Sequence, residues 1–184
     1  MNSSRGNYED AETYCLIVAE SDTFDAVSKS NTLQILAKMA FENGELSKAN
    51  SYLSEAKTLT PNDANLYVTY AKLNIFEAKY STSEENARKA IELVPTKAAA
   101  YLSLSQALYM QDKYEESIGA AEKGLTLVEL DVSLLDPAKP AVERDLYYMI
   151  ANNYRQTADT ANEEKYLGLA KEIDDREFSK EENQ

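Results

Sequence analysis

Large and small apolar residues recur along this chain with a period of about 34 residues, which suits two short helices and their turns. With repeats numbered from residues 30, 64, 98 and 144, positions 4 and 7 are large: Leu33, Tyr67, Tyr101 and Tyr147, then Leu36, Tyr70, Leu104 and Ile150. Positions 8 and 27 are small: Ala37, Ala71, Ser105 and Ala151, then Ala56, Ala90, Gly124 and Ala170. Because positions 4, 7, 8 and 11 share one helical face, the pattern predicts two closely packed helices per repeat.

Helix breakers support these predicted boundaries. Pro61 and Pro95 stand at position 32, just past the second helix of their repeats, where proline cannot continue a helix but can begin a turn. Short turns at 42–46, 78–80 and 111–117 separate the two predicted helices. With only five glycines and four prolines in 184 residues, the chain is unsuited to a loop-rich β fold.

These residues resemble the tetratricopeptide repeat (TPR), whose signature is Trp, Leu-Gly and Tyr in the first helix, then Ala, Phe and Pro. Here Tyr or Leu replaces the Trp, Ala or Ser replaces the Gly, and the Phe position holds Leu53, Ala87, Ala121 and Leu167. The size classes are preserved in four repeats. The resemblance covers residues 30 to 177 and implies an all-α, right-handed superhelical solenoid of antiparallel helix pairs that binds a protein or peptide.

The period divides the chain into four expected repeats, at 30–63, 64–97, 98–131 and 144–177. Residues 1–29 are expected to form half a repeat, with a turn at Gly6 and Cys15 as a packing residue, or a capping helix; we favour a chain cut from a longer protein. Residues 132–143, with Pro137 and Pro140, are expected to form an inserted connection that either covers part of the groove or is a plain surface connection. Residues 178–184 are expected to be a polar tail.

The TPR resemblance also implies a ligand site on the concave side of the solenoid, from first-helix positions 2, 5, 9, 12 and 13. Carried onto this chain, it implies that the binding residues are Asn31, Gln34, Lys38, Phe41, Asn65, Lys72, Ile75, Phe76, Gln106, Tyr109, Met110, Tyr148, Asn152 and Arg155. The lysines are expected to hold an acidic group and the asparagines the main chain of an extended peptide. The alternative is that the lysines are simply solvated.

Charge is expected to differ between this groove and the rest of the chain. Three cations, Lys38, Lys72 and Arg155, face two acids, Glu42 and Asp145, whereas the whole chain has a net charge of −13. One TPR subclass binds acidic chaperone tails through a clamp of lysine, asparagine and arginine, but this chain does not match it, with Gln34, Thr69 and Ala99 among the clamp positions. We therefore do not expect a heat-shock co-chaperone.

Composition narrows the remaining classes of function. The chain has no histidine and one cysteine, so the commonest general base, an intramolecular disulfide and a cysteine zinc site are all missing. The strong negative charge disfavours nucleic acid, and no apolar stretch has the roughly 20 residues that span a bilayer. We expect a cytoplasmic binding module with no cofactor, metal, membrane or catalytic site. The alternatives are an array that forms homo-oligomers through its end repeats, or a regulatory helper domain of a larger protein.

Overall fold

The computed structural model describes residues 3–131 and 138–181 of the chain. Within those ranges the backbone forms α-helices and no β-strand. The helices are α1 (Ser3–Glu20), α2 (Ala26–Glu42), α3 (Leu46–Leu59), α4 (Ala64–Phe76), α5 (Tyr80–Leu93), α6 (Ala98–Tyr109), α7 (Tyr114–Leu127), α8 (Lys139–Gln156) and α9 (Thr160–Glu181). From α2 onward they pack as antiparallel pairs whose first helices, α2, α4, α6 and α8, also touch one another in order. The predicted all-α solenoid of helix pairs is confirmed.

Close approach of the helices depends on the small residues at positions 8 and 27. Ala37, Ala71, Ser105 and Ala151 are all buried, as are Ala56, Ala90, Gly124 and Ala170. At Gly124 a Cβ atom would lie 2.8 Å from Cδ2 of Leu146 in α8, so a side chain there would require its neighbours to shift. The alternation of large and small residues therefore reflects the packing distance between helices, both within a pair and between pairs.

Every helix pair turns through one residue with left-handed backbone dihedrals. These residues stand at position 15 of each repeat: Gly44, Ala78, Asp112 and Ala158, with φ values of 78°, 56°, 59° and 59°. In each turn the N–H of position 15 donates to the carbonyl of position 12, and the N–H of position 16 donates to that of position 11. These are the hydrogen bonds of a helix C-terminus that ends in a left-handed residue. The same backbone device thus ends all four first helices.

Three segments differ from their sequence-based expectations. Helix α1 begins at Ser3, so no turn occurs at Gly6. Helix α8 begins at Lys139, which makes the end of the expected connection helical; Pro140 fits there because the N–H groups of a first helical turn need no intrahelical partner. Helix α9 continues to Glu181 through the first residues of the expected polar tail, where no proline or glycine stops it. Residues 132–137 and 182–184 lie outside the described ranges.

Helix α1 is joined to the rest of the array by specific contacts. The residues Cys15, Leu16 and Ala19 of α1 pack against the core of the first helix pair. Cys15 is therefore a packing residue, as predicted from the sequence. Glu12 of the same helix forms an ion pair with Lys48 of α3. Helix α1 is therefore an integral layer of the solenoid.

A buried carboxylate marks the place where the period is interrupted. Asp63, at position 34 of the first repeat, caps the next first helix by accepting a hydrogen bond of 2.9 Å from the N–H of Asn65. Asp131, at position 34 of the third repeat, is 1% exposed, and its Oδ2 accepts from the N–H of Ala98, at the start of the preceding α6, at 2.8 Å. Because α8 starts only at Lys139, Asp131 caps a helix behind it in the chain and not the one ahead.

Candidate functional site

A groove runs across the first helices of the solenoid. Its walls come mainly from α2, α4 and α6, with Asp145 and Met149 from the middle of α8, and its cavity volume is about 850 Å³. Positions 4, 7 and 8 of each first helix are turned into the helix pair, so positions 2, 9, 12 and 13 remain on the opposite face. The volume lies within the range of natural ligand sites, and the groove is open along its length.

Most of the residues that the sequence proposed for ligand binding lie together in this groove. They are Asn31, Gln34, Lys38, Phe41, Asn65, Lys72, Ile75, Phe76, Gln106, Tyr109 and Met110. All belong to the first three repeats, whose first helices lie side by side. The structure therefore places these side chains on one continuous surface.

The proposed residues of the fourth repeat, Tyr148, Asn152 and Arg155, do not line the groove. The hydroxyl of Tyr148 donates to Oδ2 of Asp174 in α9 at 2.7 Å. Arg155 forms an ion pair with Glu163, also in α9, with Nε and Oε1 2.7 Å apart. The side chains of Tyr148 and Arg155 thus bond to the partner helix α9, and Asp145 and Met149 are the residues of α8 that line the groove.

Sequence reasoning missed a row of groove residues at position 6 of the repeat. Ile35, Thr69 and Met149 occupy that position in the first, second and fourth repeats, and all three line the groove. Position 6 lies four residues after position 2 and three before position 9, so helical spacing places it on the same face. That geometry was available from the sequence and would have identified the row.

Polar and apolar residues occupy different parts of the groove. We call Asn31, Asn65, Lys38 and Lys72, from positions 2 and 9, the polar rim, and Phe41, Ile75, Phe76, Tyr109 and Met110, from positions 12 and 13, the apolar rim. The rings of Phe41 and Phe76 meet edge to face with centroids 4.4 Å apart. Phe76 nevertheless keeps 69% of its surface exposed and Met110 keeps 41%. Exposed aromatic and methionine side chains beside cations are typical of a protein-binding surface.

Lys72 is the cation with the weakest compensation in the groove. No carboxylate of the described residues lies within ion-pair distance of its ammonium group, whereas Lys38 has Glu42 at 3.8 Å. The groove walls desolvate Lys72 and lower the pKa of its ammonium group; Asp145 opposes this shift and Lys38 adds to it. The side chain remains accessible to water from the open side of the groove. An anion placed beside Lys72 would therefore be attracted in a partly desolvated environment.

The expected positive excess of the groove is wrong for its lining residues. Lys38 and Lys72 are balanced by Glu42 and Asp145, because Arg155, which supplied the excess in the sequence count, lies elsewhere. The charges are unevenly placed, however. Asp145 forms an ion pair of 2.8 Å with Arg144, which leaves Lys72 as the lining charge without an ion pair among the described residues.

Two of the proposed contact residues already have structural hydrogen bonds. The side-chain amide of Gln34 donates to Oδ2 of Asp63 at 2.7 Å, which ties α2 to the start of α4. The hydroxyl of Tyr109 accepts a hydrogen bond of 3.1 Å from the amide of Gln156 in α8. By contrast, the side-chain amides of Asn31 and Asn65 have no hydrogen-bond partner among the described residues. These two amides, like that of the groove residue Gln106, are available to a ligand.

Two other kinds of site, a metal centre and a membrane span, are not found in the described ranges. Acidic and cysteine side chains do not gather there in a group of three or more that could bind a metal ion. None of the helices in those ranges combines the length and the apolar character that crossing a lipid bilayer requires.

Comparison with known proteins identifies the fold through structure alone. No protein-family model matches the chain, and no curated protein matches its sequence. Among solved structures, MamA superposes with a TM-score of 0.67 at 19% identity, covering 96% of this chain and 94% of that one. BtubC from P. vanneervenii gives 0.73 at 15% identity, covering 94% and 75%. The TPR2B domain of yeast Sti1, in a structure described as its complex with pHsp70, gives 0.60 at 18% identity, covering 69% and 97%.

Proposed function

We propose that this chain, which has the fold of a tetratricopeptide repeat solenoid, is a protein-interaction module that binds a peptide or protein segment in its groove. The observation that supports the proposal is the apolar rim. The side chains of Phe76 and Met110 are exposed to solvent and line a preformed cavity of about 850 Å³. Exposed aromatic side chains at the centre of a concave surface are the usual hot spots of protein interfaces. Neither a metal cluster nor a membrane-spanning helix in the described ranges offers a competing use of the surface.

The partner segment is further proposed to carry an acidic group. Lys72 is partly desolvated and has no ion pair with a described residue, so a carboxylate in the groove would form a charge-assisted hydrogen bond with it. Asn31 and Asn65 offer free amides to the main chain of the same segment. The fold supports such a use, because the TPR2B domain of Sti1 has been solved as a complex with pHsp70.

Selection from a random peptide library tests this function and requires no assumption about the identity of the partner. The library is selected in parallel on the wild-type chain, on Lys72→Gln with Phe76→Ala, and on a control carrying Lys123→Gln with Phe178→Ala. The control removes an exposed lysine and an exposed phenylalanine that lie outside the groove. Circular dichroism first establishes that all three proteins are folded.

We expect peptides to be enriched by the wild type and the control and lost on the groove variant. Enrichment of acidic residues in those peptides would support the role of Lys72. If the groove variant retained every selected peptide, or if no peptide were enriched on the wild type, the proposed function would be wrong.

Self-association is the second candidate function, and one observation favours it. Tyr14 and Ile17 of α1 are 71% and 58% exposed, although the neighbouring Cys15 and Leu16 pack against the core. Light scattering during size-exclusion chromatography measures the mass as a function of concentration. A monomer at every concentration rejects this candidate, while a dimer lost in a Tyr14→Ser, Ile17→Ser variant supports it.

A further inference from the structure

The groove presents the same side-chain chemistry at regular intervals. Asn31 and Asn65 repeat at position 2 and Lys38 and Lys72 at position 9 of α2 and α4. Position 12 is aromatic or aliphatic in three successive first helices, as Phe41, Ile75 and Tyr109. Packed helices have axes about 8–10 Å apart. The 4.4 Å contact between the rings of Phe41 and Phe76 joins α2 and α4 directly. A ligand lying across α2 and α4 therefore meets two equivalent sets of contacts about 9 Å apart.

A polyproline II segment has the matching period. It rises about 3.1 Å per residue with three residues per turn, so every third side chain returns to the same face after about 9 Å. A β-strand also advances about 10 Å in three residues, but its side chains alternate, so the third residue points to the opposite side. Only the polyproline II form places equivalent side chains on equivalent contacts at each successive first helix with a three-residue step.

An α-helical ligand also has a matching period, because seven residues rise about 10.5 Å and return to the same face. The polar rim argues against it. Asn31 and Asn65 have unoccupied amides on the described surface, and they can pair with the free carbonyl and N–H groups of an extended main chain. A helix already uses those groups internally. A polyproline II backbone leaves them free.

The rows of the groove also match the three faces of such a segment. Positions 9 and 12 are one helical turn apart, about 5 Å, so the lysines and the apolar rim can contact two adjacent faces of one narrow ligand. The third face would point to solvent. Lys72 supplies the charge complementarity for one face, and Phe76 with Met110 supplies the apolar surface for another.

We propose that the ligand of this groove is a polyproline II segment with two acidic residues three positions apart, which face Lys38 and Lys72, and with large apolar residues at every third position beside them. This inference rests on the proposed function and specifies its partner. The residues on the remaining face are unconstrained by contact, and proline there would strengthen binding because it fixes φ near the value that the bound form requires.

Three sets of synthetic peptides, each about twelve residues long, test the period. At about 9 Å per turn such a peptide spans the first helices of the array. The first set contains triplets of aspartate, leucine and glutamine, in both orders of the first two residues. The second replaces each glutamine with proline. The third rearranges the composition of the first so that the leucines and the aspartates follow helical spacing. Fluorescence anisotropy with the whole chain measures each dissociation constant.

We expect the glutamine triplets to bind, the proline triplets to bind at least about threefold more tightly, and the helical arrangement to bind most weakly. Lys72→Gln should weaken triplet binding by about tenfold or more, as expected for the loss of a desolvated charge-assisted hydrogen bond. Lys123→Gln, which changes an exposed lysine of α7 outside the groove, should leave it unchanged.

Two results would overturn the inference, and they affect the proposed function differently. The inference would be wrong if proline weakened binding or if the helical arrangement bound best. If Lys72→Gln still reduced the affinity in that case, the ligand would be helical and the groove would remain a peptide site. If none of the peptides bound, the inference would be wrong, and selection from the random library would decide separately whether the groove binds peptides at all.

Discussion

The packing argument predicts opposite effects for the same substitution at two glycines of one helix. Gly119 and Gly124 both lie within α7, and both lack a side chain where alanine would favour the helix by about 0.5–1 kcal/mol. A Cβ atom at Gly119 would have nothing within 4 Å. At Gly124 it would lie 2.8 Å from Cδ2 of Leu146 and 3.2 Å from Cβ of Tyr101.

These distances set the expected magnitude. Carbon atoms in contact prefer about 3.5–4.0 Å, so a new methyl at Gly124 would overlap both neighbours. The Cδ atoms of the fully buried Leu146 must shift, and the Cβ of Tyr101 is fixed by the backbone of α6. Overpacking of this kind costs about 1–3 kcal/mol. After subtraction of the helical gain, Gly124→Ala should lower the free energy of unfolding by about 1 kcal/mol, whereas Gly119→Ala should raise it by about 0.5–1 kcal/mol.

Urea denaturation followed by circular dichroism measures both variants against the wild type. Because the chemical change is the same, effects on the unfolded chain largely cancel in the difference between the variants. We expect that difference to be about 2 kcal/mol in favour of Gly119→Ala. Equal stabilities, within about 0.5 kcal/mol, would refute the argument that position 27 is small because α8 approaches it.

Further expectations follow from the polar contacts and the groove. Burial opposes ionisation of Glu84, but hydrogen bonds from Arg88, Lys113 and Gln111 outweigh it and hold the pKa of this carboxyl at about 2, below its ordinary 4.5. The ionised Glu84 carboxylate therefore stabilises the fold fully above about pH 5, and this stabilisation is lost as the pH falls towards 2. Glu84→Gln should lower the free energy of unfolding by about 1 kcal/mol at neutral pH and by little at pH 2. An equal loss at both pH values would contradict this explanation. Asp131→Ala should lower the free energy of unfolding, measured by urea denaturation, by about 1–3 kcal/mol, because the buried N–H at the start of α6 loses its hydrogen-bond acceptor. Asp131→Asn should lower the free energy of unfolding by less, because its side-chain oxygen can still accept that hydrogen bond. Phe76→Ala should weaken binding of a library-selected peptide by about tenfold or more. It should lower the free energy of unfolding by about 1 kcal/mol, through loss of the ring contact with Phe41. If the variant lost affinity only at temperatures where it unfolds, Phe76 would not be a contact residue.

The fold was predictable from sequence because its packing depends on residue size at fixed spacings. Position 8 is buried in all four repeats, including the third, where Ser105 replaces alanine. The small size of the residue at this position therefore predicted its burial, whereas its chemical identity did not. The start of α8 was not predictable in the same way. A proline such as Pro140 ordinarily indicates an interruption, yet here it occupies the one part of a helix that accepts proline.

The groove was predictable only where the helices keep a common orientation. The first three repeats bring their positions 9, 12 and 13 to one surface, so proposals such as Lys72 and Phe76 lie together. In the fourth repeat the same face holds Tyr148 and Arg155, whose polar atoms pair with α9. The sequence could not show this, because Asp174 and Glu163 are partners through the fold and do not belong to a periodic pattern.

The left-handed residue at position 15 has a consequence for how such an array can change over evolutionary time. Only Gly44 among the four is a residue that adopts this conformation freely, whereas Ala78, Asp112 and Ala158 each bear a strain of about 1 kcal/mol. The main-chain hydrogen bonds of the turn remain the same in all four. The four turns of this chain thus share a dihedral angle and a hydrogen-bond pattern but not an amino acid, so the residue type at position 15 is a poor guide to where a hairpin turns.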